Sequence, residues 1–236
     1  MPHNLKIDLY SDGADVREMV AARDAGLVKG FTTNPTLMHK SGISDYETFA
    51  REALKAVGGL PISFEVFADE FDEMERQAKR IATWGDGVFV KIPITNTRRQ
   101  SSIDLIRRLS AAGVKLNITA ILTLDQVRCV VDALNADIPA IVSVFAGRIA
   151  DTGRDPVPLM EEAAKIVGKK PKAQLLWASP RELLNIFQAD ACGCHIITVT
   201  PDILKKLAMV GKSLEDLSLD TVKMFYNDAA AAGFRL

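Results

Sequence analysis

"GVFVKIPIT" (residues 87–95) is an apolar run with one charge at its centre. Alternate residues of a β-strand point to opposite faces. One set here is Val88, Val90, Ile92 and Ile94; the other is Phe89, Lys91 and Pro93. A run this apolar on both sets is the pattern of a parallel strand covered on both faces. The purely aliphatic set predicts contact with a layer of helices. Lys91 is then predicted to point into the interior, where an unpaired charge is costly.

Seven further runs of this kind lie along the chain: residues 6–12, 30–34, 62–67, 115–122, 140–146, 173–179 and 195–200. Between them lie segments with helical periodicity. "SDYETFAREALKAVGG" opens with Ser44 and Glu47 in capping-box spacing and closes on glycines. "DEFDEMERQAKRIATWG" carries acids in its first turn and bases in its last. "TLDQVRCVVDALN" opens with T-x-x-Q. "SPRELLNIFQA" opens with S-x-x-E and is predicted to place Pro180 at the first helical position. Strand followed by helix, repeated eight times, predicts a single TIM (β/α)8 barrel over residues 1–236. A doubly wound open sheet is the alternative. An extra C-terminal helix is expected at about residues 218–233.

With 236 residues the chain can bury a large core. Its 48% hydrophobic and 25% charged residues are those of a soluble globular protein. A formal net charge of -1 gives no basic footprint for nucleic acid or an anionic membrane. No stretch has the length of a transmembrane helix or the form of a signal peptide. Three cysteines without a secretory signal favour the cytoplasm. Cys192 and Cys194 lack a second ligand pair, so ordinary packing is expected and no metal site is assigned.

The same alternation test turns other polar residues inward. Glu65 shares a face with Ser63, Asn117 with Thr119, and Ser143 with Phe145. Asp12, Asn34 and Ser179 stand at strand ends, where barrel enzymes carry their sites. One buried polar residue is usually a satisfied core residue. Several on one inferred face would each need a partner, which favours a pocket. An inward lysine could be half of a structural ion pair with Glu65. It could instead be an amine that burial keeps neutral and nucleophilic, suited to Schiff-base chemistry on carbonyl substrates. Asp12, Glu65 and Thr119 could then move protons. Arg148 follows the sixth run, and Arg181 lies beside Ser179 after the seventh. They could bind an anion at a helix N-terminus, or Ser179 could be only a cap and Arg181 only a solvated residue.

Taken together, "GFTTNPTLM", "FVKIPIT", "NITAILTLDQ" and "SVFAGRIAD" resemble segments of the transaldolase family, in the short subfamily that includes fructose-6-phosphate aldolase. The resemblance runs over nearly the whole chain. It implies that Lys91 forms a Schiff base and Asp12 exchanges the substrate hydroxyl proton. Glu65 and Thr119 would hold a catalytic water. Thr33, Asn34, Asn117, Ser143 and Phe145 would line the sugar site, with Arg148, Ser179 and Arg181 at the terminal phosphate. The implied ligands are small sugar phosphates. No cofactor is implied, and the chain would form a homo-oligomer, a pentamer or decamer. Aldolase members carry Gln, Tyr and Ala where Glu65, Phe145 and Ser143 stand, so transfer is expected over release of free dihydroxyacetone. Two segments depart from the family pattern: Gly13 follows Asp12 where a threonine is usual, and Pro180 replaces an aromatic residue beside Ser179. Either could signal a ketose that is longer or carries another terminal anion.

Overall fold

The structure, a computed structural model, describes residues 5–235. Two compact units are distinguished, Met1–Leu204 and Lys205–Leu236. In the first, eight parallel strands close into a barrel in sequence order. They are β1 (Asp8–Asp12), β2 (Gly30–Thr32), β3 (Ile62–Glu65), β4 (Val88–Pro93), β5 (Leu116–Ile121), β6 (Ala140–Val144), β7 (Ala173–Trp177) and β8 (Ile196–Val199). β8 pairs with β1, which removes both sheet edges. The helices of this unit are α1 (Val16–Asp24), α2 (Pro35–Lys40), α3 (Tyr46–Val57), α4 (Phe71–Ala82), α5 (Ile103–Ala111), α6 (Leu124–Ala133), α7 (Ala146–Ala150), α8 (Val157–Val167) and α9 (Leu184–Ala191), and α10 (Pro201–Lys205) begins in it and ends at the first residue of the second unit. This is a TIM barrel, as the repeat predicts; the open sheet is excluded by the β1–β8 pairing.

The aliphatic parity sets form the layer between strands and helices. Val90, Ile92, Leu116, Ile118, Val142 and Val144 have no exposed surface. Each such side chain contributes about 1.5–3 kcal/mol by leaving water. The opposite parity fills the barrel. Its floor is apolar: Tyr10, Phe89, Ile141, Leu176 and Ile196 pack together. Gly30, the register partner of Tyr10, makes room for that ring. A Cβ on Gly30 would lie 2.4 Å from the ring. One pleat higher, the inward positions become polar, so the fold separates an apolar floor from a polar mouth.

Several local expectations are corrected. The N-cap of α3 is Asp45, which accepts from the Thr48 N–H at 3.0 Å; Ser44 is not the cap. Capping at Asp45 leaves Tyr46 free to enter the first turn. α9 begins at Leu184, so neither does Ser179 cap it nor does Pro180 open it. The Asn185 side chain instead accepts from the N–H groups of Arg181 and Glu182, which holds this stretch as a separate loop. The T-x-x-Q box is present: Thr123 and Gln126 cap α6 reciprocally. In β5 strict alternation ends at Ala120, which adopts φ +61° at a register shift against β6. The extra residue returns Ile121 to the buried outer layer.

The second unit holds a 3-10 turn (Lys206–Met209) and α11 (Leu214–Ala231), close to the predicted C-terminal helix. Ser213 caps α11 by accepting from the Asp216 N–H at 3.0 Å. Among the described residues, no helix is long and apolar enough to cross a membrane.

Candidate active site

A cavity of about 710 Å³ opens at the C-terminal ends of the strands. Parallel register sets its centre: Lys91 pairs with Glu65 on one side and Asn117 on the other. The Lys91 side chain is only 8% exposed. Its Nζ lies 2.9 Å from Glu65 Oε2 and donates to the Thr33 carbonyl at 2.8 Å. The predicted inward lysine is thus held by a carboxylate and a backbone oxygen. A carboxylate at this distance can exchange a proton with the amine directly.

Asp12 reaches the same cavity from β1. Thr32 Oγ1 donates to its Oδ1 at 2.7 Å, and Asn34 Nδ2 to its Oδ2 at 3.4 Å. Burial pushes the Asp12 carboxyl pKa up. The Lys91 charge and the bonds from Thr32 and Asn34 oppose that rise without cancelling it, and Glu65 adds to it. Asp12 therefore keeps a proton to higher pH than an exposed carboxyl. Asn34 also builds local structure. Its Oδ1 accepts from the Leu37 N–H at 2.9 Å and caps α2, with Pro35 at the first helical position. The T-T-N-P segment therefore fixes the amide beside Asp12 through the helix it starts.

On the far side, Ser143 Oγ donates to Asn117 Oδ1 at 2.6 Å, and Asn117 Nδ2 donates to Ser63 Oγ at 3.0 Å. This chain fixes the amide orientation beside Lys91. Thr119 and Ala120 both line the cavity at the β5 bulge. A left-handed residue other than glycine costs roughly 1–2 kcal/mol. Here it brings two successive residues to the cavity wall.

At the rim, Arg148 lies over the Phe145 ring at 5.5 Å. Arg181 makes a two-point ion pair with Asp151, including an Nε–Oδ1 bond of 2.9 Å. Ser179, in the loop after β7, has φ +56°. Its carbonyl occupies the space left by the absent side chain of Gly147. The loop of Ser179 and Arg181 is thus shaped by backbone packing, not by the helix start that the sequence suggests.

Asp12, Asn34, Glu65, Lys91, Asn117, Thr119, Ser143, Phe145, Arg148, Ser179 and Arg181 all line the one cavity. Thr33 does not. Its hydroxyl donates to the Ser63 carbonyl at 2.9 Å and is fully buried, so only its backbone serves the site. Thr32 and Thr198 line the cavity and escaped the sequence reading. Both have inward parity, Thr32 with Gly30 and Thr198 with Ile196, and that was the available signal. Among the described residues, no three His, Cys, Asp or Glu side chains cluster to hold a metal ion.

The sequence profile of Transaldolase/Fructose-6-phosphate aldolase matches residues 9–236. The chain belongs to this family. Similar curated proteins include a "Probable transaldolase" of Dehalococcoides mccartyi, 34% identical over 84% of this chain and 89% of that one. Another, of Thermoplasma volcanium, is 33% identical over 89% of this chain and 92% of its own length. A third, of Streptococcus equi subsp. equi, is 32% identical over 94% of this chain and 97% of its own. Among solved structures, dihydrodipicolinate synthase from Rhodopseudomonas palustris aligns with a TM-score of 0.56 at 14% identity. That alignment covers 94% of this chain and 79% of the synthase, and it shows a shared barrel fold.

Proposed function

We propose that the chain is a Schiff-base transaldolase. It would move a dihydroxyacetone unit from a ketose phosphate, such as fructose 6-phosphate or sedoheptulose 7-phosphate, to an aldose phosphate. The observation that carries this reading is the enclosed Lys91–Glu65 contact at 2.9 Å, in a cavity that also presents Asp12. Glu65 takes a proton from Lys91, and the free amine attacks the ketose carbonyl carbon. The former carbonyl oxygen leaves as water, and a protonated imine remains. Glu65 and Thr119 hold the water that this step releases and its reversal consumes. Asp12 then accepts the proton of the C4 hydroxyl while the C3–C4 bond breaks. The bonding pair passes into the imine, giving an enamine and a free aldehyde. Addition of the enamine to a second aldehyde and hydrolysis of the new imine complete the transfer. Asn34 after its bonds to Asp12 and Leu37, and Asn117 and Ser143 after their shared bond, have hydroxyl-binding capacity left. Arg148, Ser179 and Arg181 take the terminal anion.

Transfer is favoured over release by Glu65, Phe145 and Ser143. Phe145 has no hydroxyl with which to hold the water, so that role falls to Glu65. A second reading concerns the donor. Pro180 supplies neither an aromatic wall nor an N–H, and Arg181 is engaged by Asp151. Both features fit a longer ketose or one that carries another anion at its end. In α11, exposed Leu219, Val222, Met224 and Phe225 support a homo-oligomer; the family resemblance implies a pentamer or decamer, which light scattering can measure.

Borohydride reduction with fructose 6-phosphate, read by intact mass, tests the chemistry. The expected result is a covalent adduct on the wild type and none on Lys91→Ala. Equal adducts on both proteins overturn the assignment of Lys91. A panel of ketose and aldose phosphates, assayed with and without acceptor, separates transfer from release of dihydroxyacetone.

A further inference from the structure

We infer that Thr198, on β8, is a positioning residue that acts on Asp12 through Thr32. This inference rests on the reading of Asp12 as the proton acceptor in the proposed reaction. Thr198 Oγ1 and Thr32 Oγ1 are 2.6 Å apart, and Thr32 Oγ1 donates to Asp12 Oδ1 at 2.7 Å. Thr198 and Thr32 are 6% and 3% exposed, so water competes little for these bonds.

Hydrogen accounting sets the direction of the chain. Each threonine hydroxyl has a single proton to donate. Thr32 spends its proton on Asp12, so the short bond between the hydroxyls needs Thr198 as donor. The order is Thr198 to Thr32 to Asp12 Oδ1. With Oδ1 occupied by a donor, the carboxylate presents Oδ2 as its basic oxygen. Oδ2 has only the long 3.4 Å bond from Asn34. Thr198 thus keeps the Thr32 proton pointed at Oδ1, and the reactive proton is received at Oδ2.

The charged groups facing Asp12 are Lys91 on β4 and Glu65 on β3. The flanking strands β2 and β8 present only the hydroxyls of Thr32 and Thr198 at this level, and the start of α2 presents the Asn34 amide. Thr32 and Asn34 are therefore the neutral donors that act directly on a carboxyl whose burial holds its pKa high, and Thr198 acts through Thr32. Loss of either donor removes support for the ionised form.

The test compares Thr198→Ala with Thr198→Ser, which differ from each other by the hydroxyl alone. The same pair is made at Thr32. In full-length enzyme, the pH profile of kcat/KM is measured for a donor that the wild type turns over. Thr198→Ala is expected to move the acidic limb to higher pH and to lower kcat about 10-fold, and Thr32→Ala to do so more strongly. Both serine variants are expected to keep the wild-type limb. Borohydride trapping of the imine should be unchanged throughout, because Lys91 and Glu65 are untouched. An unshifted limb in both alanine variants overturns the inference. So does an equal loss in the alanine and serine variants at Thr198, which would assign the effect to the methyl group. Should Thr198→Ala fail to fold, the isosteric Thr198→Val removes the same hydroxyl and gives the same decision. Asp12→Asn serves as the separate control: unchanged turnover in that variant refutes the proton-acceptor reading itself, whatever the threonines do.

Discussion

Replacing Gly147 with alanine should disable the loop proposed to bind the anion while leaving the proposed imine chemistry intact. Gly147 lies in α7, one residue before Arg148, and its N–H donates to the Ala178 carbonyl at 3.3 Å. A Cβ at this position would stand 1.6 Å from the Ser179 carbonyl oxygen, 2.7 Å from its carbon and 3.4 Å from Arg181 Nε. Contacts of this kind do not fall below 3.0 Å, so the loop and α7 must separate by about 1.4 Å. The nearest atoms are backbone, and Ser179 already has a left-handed φ, so a change of rotamer gives no relief. Overpacking of this type costs about 1–3 kcal/mol. For a domain of this size that lowers Tm by about 2–4 °C per kcal/mol. A misplacement near 1 Å can cost about 100-fold in a positioned site. Initial-rate kinetics should therefore show kcat/KM for a ketose phosphate reduced by about 10–100-fold. Borohydride trapping of unphosphorylated dihydroxyacetone should continue near the wild-type level. Donor kinetics within twofold of the wild type, together with an unchanged Tm, would refute the packing account of the loop. Equal loss of phosphorylated and unphosphorylated substrates would refute its assignment to the anion end.

Asp12→Asn should lower kcat by about 100-fold or more, because the amide cannot accept the hydroxyl proton. It should also raise stability at neutral pH. Burial raises the folded-state pKa of Asp12, so wild-type stability is full below the unfolded value of about 3.9 and falls as pH rises through the folded value. The variant should match the wild type in melting temperature under acid and exceed it near neutrality. A variant less stable near neutrality than under acid, relative to wild type, would contradict the burial account. Combining Glu65→Gln with Phe145→Tyr should shift products toward free dihydroxyacetone, measured without an acceptor; an unchanged product ratio counts against the assignment of the water to Glu65. Gly30→Ala should cost about 1–3 kcal/mol through its clash with the Tyr10 ring, read by urea unfolding. Tyr10→Leu in the same chain should recover part of that loss, and no recovery would mean the ring is not the obstacle.

The amino-acid sequence by itself determined the barrel and the inward face. Parity needs only the two-residue period of a strand, so Lys91, Glu65, Asn117 and Ser143 could be assigned to the interior without coordinates. It also carried the T-x-x-Q cap, because capping is local chemistry between residues three apart. Tertiary structure alone decided what each polar group meets. Thr33 shows the limit: it lies inside a legible motif, yet its hydroxyl serves the Ser63 backbone and its carbonyl serves Lys91. The bulge at Ala120 broke alternation because register with β6 overrode the local period. The loop of Ser179 and Arg181 is set by contacts with Gly147 and Asp151, which lie far away in the chain, besides its local bonds to Asn185. Thr198 and Thr32 are 166 positions apart and share one short hydrogen bond. Such pairings exist only once the barrel has closed β8 onto β1, because closure brings the two ends of the strand series side by side.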